Sequence, residues 1–305
     1  MIPQKLANLE ALLTTISLHA RPSFLIIGAQ KSGTSALYTY LTKHPHIKPP
    51  RLKEINFFNQ EAHYHRGLLW YHIHFPDLSQ MGSQAITFEA TPDYFYHPQV
   101  AARIYRYDPR LKLIVLLRHP VERAYSEWNM HRLLFAGQLE PYFLQLIETI
   151  RHADTVDSSP LLARINPEMR LKKVDFFLNQ RLLPFEVAVR QEIKQMDAGE
   201  TRPYPHYVHC GLYAQQLRRY LSYFDRQQMH IIDSRQLRTN PVPILRRVTW
   251  FLRLPEHDWR QENLVGPQAH YREPLDQEIR QWLHAFYQPH NEQLYELVGH
   301  DFGWQ

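Results

Sequence analysis

Apolar residues along this chain fall into a few short unbroken runs, separated by longer stretches that repeat at helical spacing. Phe24-Leu25-Ile26-Ile27, ending at Gly28, is one such run. Leu111 to Leu117 is a second and His230-Ile231-Ile232-Asp233 a third, with Ile86-Thr87-Phe88-Glu89 as a shorter fourth. Runs of this kind predict strands buried on both faces, as in parallel sheets. Helical spacing follows over Ala36–Leu41, stopped near His44-Pro45, and over Pro98–Tyr107, Val121–Leu134, Pro243–Leu252 and Leu275–Leu297. Leu6, Leu9, Leu12, Leu13 and Ile16 predict a short amphipathic helix ahead of the first strand. Strands alternating with helices give an α/β fold, a parallel sheet flanked by helices. From about Gln138 to Tyr207 the pattern turns polar and helical with no core-type strand. It is read as a helical insertion over the active site within a single domain spanning residues 1–305.

Composition narrows the setting more than the activity. With 44% hydrophobic residues the chain is ordinary for a globular protein. No run approaches the roughly 18 apolar residues of a membrane span, and the N-terminal stretch lacks the pattern of a signal peptide. Cys210 is the single cysteine, which excludes an internal disulfide and a cysteine-rich zinc site and suits a reducing, cytoplasmic location. The net charge of +5 is spread along the chain with no basic block. No nucleic-acid partner or membrane partner is expected, while an anionic ligand fits. Oligomeric state is not readable.

The chemistry concentrates at two strand ends. Gly28-Ala29-Gln30-Lys31-Ser32-Gly33-Thr34-Ser35 leaves a buried strand and opens a helix, with phosphate-loop spacing. Such a turn aims backbone N–H groups and a helix N-terminus at an anion. Lys31 adds charge, and Ser32, Thr34 and Ser35 add hydroxyls. Thr34 stands where a Walker lysine would be, which disfavours a nucleoside triphosphatase. The second place is Arg118, just past another strand, with Ser126 in the second turn of the following helix. Ligands bind at this end of open parallel sheets, and a guanidinium with a hydroxyl can hold a phosphate.

On these residues the chain resembles the PAPS-dependent sulfotransferases, which use 3′-phosphoadenosine-5′-phosphosulfate (PAPS) as donor and release PAP. It is most similar to heparan sulfate N- and 3-O-sulfotransferase domains and their bacterial relatives. The resemblance rests on Phe24–Leu41, Lys53-Glu54-Ile55-Asn56-Phe57-Phe58, Ile114–Ser126 and the tail from Tyr287 to Trp304. Tyr64-His65-Arg66-Gly67, Phe88-Glu89-Ala90-Thr91-Pro92 and Gly211-Leu212-Tyr213 match more loosely. The resemblance implies that Lys31 to Ser35 bind the 5′-phosphosulfate and that Arg118 and Ser126 bind the 3′-phosphate. It makes Glu54 the general base, with Lys31 as the second catalytic group, and puts Tyr213 near the nucleotide. It also implies a hydroxyl or amine acceptor on a small metabolite or glycan and no metal.

Departures from the family pattern bear on the acceptor. Ala90 replaces a lysine, Asn56 replaces the histidine of the 3-O enzymes, and the disulfide-closed loop near the C-terminus is absent. Tyr271 and Arg272, with His270, are expected to stand in for that loop. His131 and His209 are candidate substrate-binding residues, with His206 beside the latter. Among the 19 histidines, the pairs His63/His65 and His72/His74 have the spacing of two ligands on one strand face. They are read as structural because the stretch between them matches the family. A kinase-like phosphoryl-transfer enzyme and a non-enzymatic nucleotide-binding module are the alternative functions.

Overall fold

The computed structural model describes residues 18–136, 176, 181–200, 204–266 and 273–304. The expected N-terminal helix, most of the expected insertion, and Tyr271 and Arg272 lie outside these residues. The chain divides into two compact units. A sheet unit comprises residues 1–59, 63–116 and 220–268, and a helical unit comprises 60–62, 117–219 and 269–305.

The sheet unit holds β1 (Pro22–Gly28), β2 (Ile47–Lys48), β3 (Ile86–Ala90), β4 (Lys112–Leu117, its last residue leading into the helical unit) and β5 (Met229–Asp233). Their order is β2-β3-β1-β4-β5. β1 pairs in parallel with β3 and with β4, and β2 pairs in parallel with β3. Side chains alternate across a strand, so Phe24 and Ile26 face one way and Leu25 and Ile27 the other. All four are fully buried, which is why the run carries no polar alternation.

One face is packed by α1 (Thr34–Leu41), α7 (Ser234–Thr239) and α8 (Pro241–Leu252). Leu37 and Leu41, Leu237, and Ile244, Leu245 and Val248 of these helices cluster with Phe24, Ile26, Phe88, Ile114 and Ile232. Two further helices, α2 (Gly67–His72) and α3 (Val100–Tyr107), belong to the same unit. α8 begins two residues earlier than the spacing predicts, because Pro241 fits the first turn, where its missing N–H costs nothing.

The helical unit contains α4 (Pro120–Phe135), α5 (Phe185–Asp197), the start of α6 (Tyr213–Leu221) and α9 (Gln277–Val298). Its core joins Val121, Ala124 and Tyr125 of α4 to Phe185, Ala188 and Val189 of α5 and to Ile279, Leu283 and Tyr287 of α9. α9 starts at Gln277 because the Asp276 carboxylate accepts from Glu278 N and Ile279 N at 2.9 and 3.2 Å. It stops at Gly299, which takes φ 81. Among the described residues, α5 supplies helical structure in the region read as an insertion.

The histidine pairs do not share a strand face. His63 and His72 sit in short helical segments. Their rings serve neighbours: His63 Nδ1 lies 3.0 Å from Ile55 O and His72 Nε2 2.9 Å from Tyr107 Oη. An i, i+2 spacing places two ligands together only in extended chain, so the strand premise is corrected here.

Candidate functional site

The phosphate-type loop leaves β1 at Gly28 and reaches α1 through a left-handed turn. Gly33 is the N-cap of α1 with φ 94, a conformation that favours glycine. It offers no side-chain cap, so the first N–H groups of the helix have no side-chain acceptor from it. Gly28 is needed for space: a Cβ there would meet Phe95 Cβ at 2.6 Å and Pro92 O at 2.9 Å. Lys31 also sits at positive φ, 65°. The turn is pinned on its inner side by Ala29 N–H to Leu116 O at 2.8 Å and Ser32 N–H to Ala29 O at 3.2 Å.

Ser32 is fully buried, and its Oγ has no hydrogen-bond partner among the described residues. A buried hydroxyl normally finds a partner. The uncapped helix start, this hydroxyl and Lys31 fit an anionic phosphate group. Thr34 is buried, and Ser35 is exposed beside it.

Glu54 reaches this loop through a residue that sequence reasoning passed over. Lys53 Nζ donates to Ser35 Oγ at 3.1 Å and pairs with Glu54 Oε1 at 2.6 Å. One ammonium thus joins the loop hydroxyl to the carboxylate. The partners lie 18 positions apart, and only the neighbouring letters of the motif hinted at Lys53. Glu54 and Asn56 both hold positive φ, 61 and 57. Left-handed backbone at non-glycine residues costs of order 1–3 kcal/mol each and persists where the surroundings enforce it. Here Glu54 N–H donates to Ala90 O at 3.2 Å and Asn56 Nδ2 donates to Glu54 O at 2.7 Å.

In the helical unit, Arg118 follows β4 directly, and α4 starts two residues later with Pro120 at its first position. His119 caps this helix, its Nδ1 accepting from Val121 N at 3.2 Å. Burial lowers the His119 pKa to about 4, which suits a neutral acceptor ring. The Arg118 guanidinium lies 3.8 Å from Glu122, whose carboxylate also pairs with Arg280. Tyr213 donates from its hydroxyl to Arg118 O at 2.8 Å, and Ser126 is buried on α4. The Arg118–Ser126 segment and Tyr213 therefore occupy one region of this unit.

His131 is 4% exposed, with Nδ1 2.7 Å from the Tyr207 hydroxyl. It stands in a buried polar cluster in which Arg123 pairs with Glu127 at 2.7 Å and also donates to Tyr207 O. His206 Nε2 approaches the same carboxylate at 3.7 Å. His209 opens a 3-10 turn, and its N–H donates to Glu192 at 2.7 Å. Burial lifts Glu192 to about 8, against the N–H bonds from His209 and Val208. Both histidines therefore belong to well-bonded parts of the helical unit.

Residues 21–265 match the family model described as a sulfotransferase domain. The chain is 28% identical to the membrane-associated sulfotransferase kil1 of Dictyostelium discoideum, over 93% of this chain and 66% of that protein. It is also 28% identical to the bifunctional heparan sulfate N-deacetylase/N-sulfotransferase 4 of Mus musculus, over 91% of this chain and 30% of the relative. The chain thus spans under two thirds of either relative. Among solved structures, a sulfotransferase from Alicyclobacillus acidocaldarius superposes with a TM-score of 0.61 at 25% identity, covering 93% of this chain and 99% of that one.

Proposed function

Because the chain belongs to the sulfotransferase-domain family, we propose that it transfers a sulfuryl group from PAPS to a hydroxyl or amine of a small metabolite or glycan. The observation that carries this reading is the Lys53 bridge, which holds the Glu54 carboxylate and the Ser35 hydroxyl on one ammonium. A base and an anion-binding turn in such proximity are what transfer next to a phosphate requires.

The donor supplies an activated sulfur–oxygen bond. Lys31, Thr34, Ser35 and the Ser32 hydroxyl hold the 5′-phosphate end. Arg118 and Ser126 take the 3′-phosphate, and Tyr213 buttresses Arg118 through its backbone carbonyl. Glu54 removes the acceptor proton while the acceptor oxygen or nitrogen bonds to sulfur. The bond from sulfur to the 5′-phosphate oxygen breaks in line, and its electron pair stays on that oxygen, where Lys31 balances the charge. PAP then leaves. The heparan sulfate named for the mouse relative makes an amino sugar one acceptor to try. A cytoplasmic location belongs to the same proposal, and fractionation of the native protein tests it.

Calorimetry with PAP and with ATP plus Mg²⁺ separates this reading from a phosphoryl-transfer enzyme. Micromolar PAP binding and weak ATP binding are expected, and the reverse order would overturn the reading. Glu54→Gln is expected to lower transfer from labelled PAPS at least 100-fold, the scale of one general base, with PAP affinity kept. Full transfer by that variant would remove Glu54 from the role.

A further inference from the structure

The end of β3 carries a carboxylate that the proposed reaction does not touch. Glu89 is fully buried, and among the described residues no arginine or lysine hydrogen-bonds to it. It instead receives three hydroxyl groups. Tyr71 of α2 donates to Oε2 at 2.5 Å, Tyr94 to Oε1 at 2.5 Å, and Thr91 to Oε1 at 2.8 Å.

Two of these hydroxyls have a second task. Tyr94 Oη accepts from Phe57 N at 2.9 Å and from Phe58 N at 3.2 Å. Thr91 Oγ1 accepts from Asn56 N at 3.3 Å. Each hydroxyl has one proton. When that proton points at Glu89, the oxygen lone pairs are left to face the three consecutive N–H groups. The direction of every bond in the relay is therefore set by the charge on Glu89.

The N–H groups so held belong to the segment that begins with the left-handed Glu54. Further holds on it, among the described residues, include Glu54 N–H to Ala90 O, His63 Nδ1 at Ile55 O and Asn56 O, Asn59 Nδ2 to Asn56 Oδ1, and Arg103 Nη1 to Phe58 O at 2.9 Å. Ile55, Phe57 and Phe58 of the segment are buried, with Phe57 stacked on Tyr71 and Phe58 edge-on to Tyr94, but Glu54 itself carries no apolar side chain, so its left-handed conformation depends on the backbone bonds beside it.

Resting on the sulfuryl-transfer reading, we infer that Glu89 is a positioning residue, which locks the Glu54 segment in its working conformation through the Tyr94 and Thr91 hydroxyls. A protonated Glu89 would itself donate, and one of the three hydroxyls would have to turn its proton elsewhere. If that hydroxyl is Tyr94 or Thr91, the turned proton meets an N–H of the segment.

Burial pushes Glu89 up to about 7, against the hydroxyl bonds of Tyr71, Tyr94 and Thr91 and the Asn56 N–H. The titratable groups facing it are Tyr71 on α2, Tyr94 after β3 and Tyr107 on α3. Burial holds Tyr71 and Tyr94 well above the usual phenol range and raises Tyr107 too, so all three stay neutral near pH 7. The relay is thus intact above about pH 7 and lost as Glu89 takes up a proton below it.

The test uses the full chain, with Glu89→Gln and Tyr94→Phe, and PAPS in water as the probe, following its conversion to PAP and sulfate. Both variants are expected to lower kcat about tenfold or more, with KM for PAPS and calorimetric PAP affinity within about twofold of wild type. The wild-type kcat is expected to fall as pH drops through 7, and this acid limb should vanish in Glu89→Gln. Hydrogen-exchange protection at the amides of Phe57 and Phe58 should fall at least tenfold in both variants, and at Asn56 in Glu89→Gln, with β1 and β4 amides unchanged.

Wild-type kcat with wild-type protection at these amides in either variant would overturn the inference, as would an unchanged acid limb in Glu89→Gln. Should Glu89→Gln fail to fold, Tyr94→Phe decides alone, since it keeps the ring and removes only the hydroxyl. A wild-type protein that binds no PAP would sink the sulfuryl-transfer reading instead. The exchange measurement would still report on the relay.

Discussion

Glu89 in the sheet unit and Glu127 in the helical unit are equally hidden from water, yet their surroundings treat charge in opposite ways. Glu127 has a guanidinium at 2.7 Å, and Glu89 has three hydroxyls. Burial alone would raise both. At Glu127 the Arg123 charge outweighs it and the pKa is lowered, whereas at Glu89 the hydroxyls do not and it rises to about 7. A full opposite charge offsets the loss of hydration, and neutral dipoles offset only part of it. One carboxylate is therefore a fixed structural anion, and the other responds to pH near neutrality.

The largest effect that sharpens this contrast is on stability. Glu127→Gln leaves Arg123 buried without its counter-charge, and a loss of about 3–5 kcal/mol is expected in urea unfolding. Replacing both partners, Arg123→Met with Glu127→Leu, should recover most of it. A loss below about 1 kcal/mol in the single variant would erase the distinction.

The next effect is the pH dependence of the difference between wild type and Glu89→Gln. The folded-state pKa of Glu89 is raised, so its contribution to stability is present below about pH 4.5 and lost as pH rises through 7. Wild type should therefore lose a few kcal/mol relative to Glu89→Gln between pH 5 and 8. The corresponding difference for Glu127→Gln should stay flat there. Its contribution is present above about pH 4.5 and falls away only in more acid solution. Parallel pH curves for the two variants would break the comparison.

The smallest effect concerns a half-exposed pair. Lys53→Met removes a partly solvated ion pair, so stability should move by less than about 1 kcal/mol. Transfer from PAPS should nonetheless drop several-fold, because Glu54 and Ser35 lose their shared partner. Unchanged transfer would make the bridge incidental.

The sequence showed β1, β3, β4 and β5 because buried parallel strands need unbroken apolar letters. It concealed β2, whose two residues, Ile47 and Lys48, are too few for a period. The loop from Gly28 to Ser35 was legible for a local reason: its glycines, lysine and hydroxyls are consecutive. Arg118 was legible because it directly follows a strand. Glu89, within Phe88-Glu89-Ala90-Thr91-Pro92, has no role that spacing reveals, since its meaning depends on Tyr71, 18 positions away, and on which hydroxyl turns toward it. Lys53 was overlooked for the same reason. His131 looked available at the end of a helix, but it is buried with its ring nitrogen on the hydroxyl of Tyr207, 76 positions distant. Lengths of chain that must come together are invisible to spacing rules, and Tyr71 on Glu89 and Tyr207 on His131 are such pairs.

β1 lies in the middle of the sheet, hydrogen-bonded along both edges. A strand at a rim can peel away by breaking one ladder, but this one must break two. Amides of Leu25 to Ile27 should be among the slowest to exchange, and heat should reach the turn at Gly28 late. Mild damage to the sheet unit would thus begin at its margins, and the turn from Gly28 to Ser35, carried by a strand held along both edges, would outlast the rim strands.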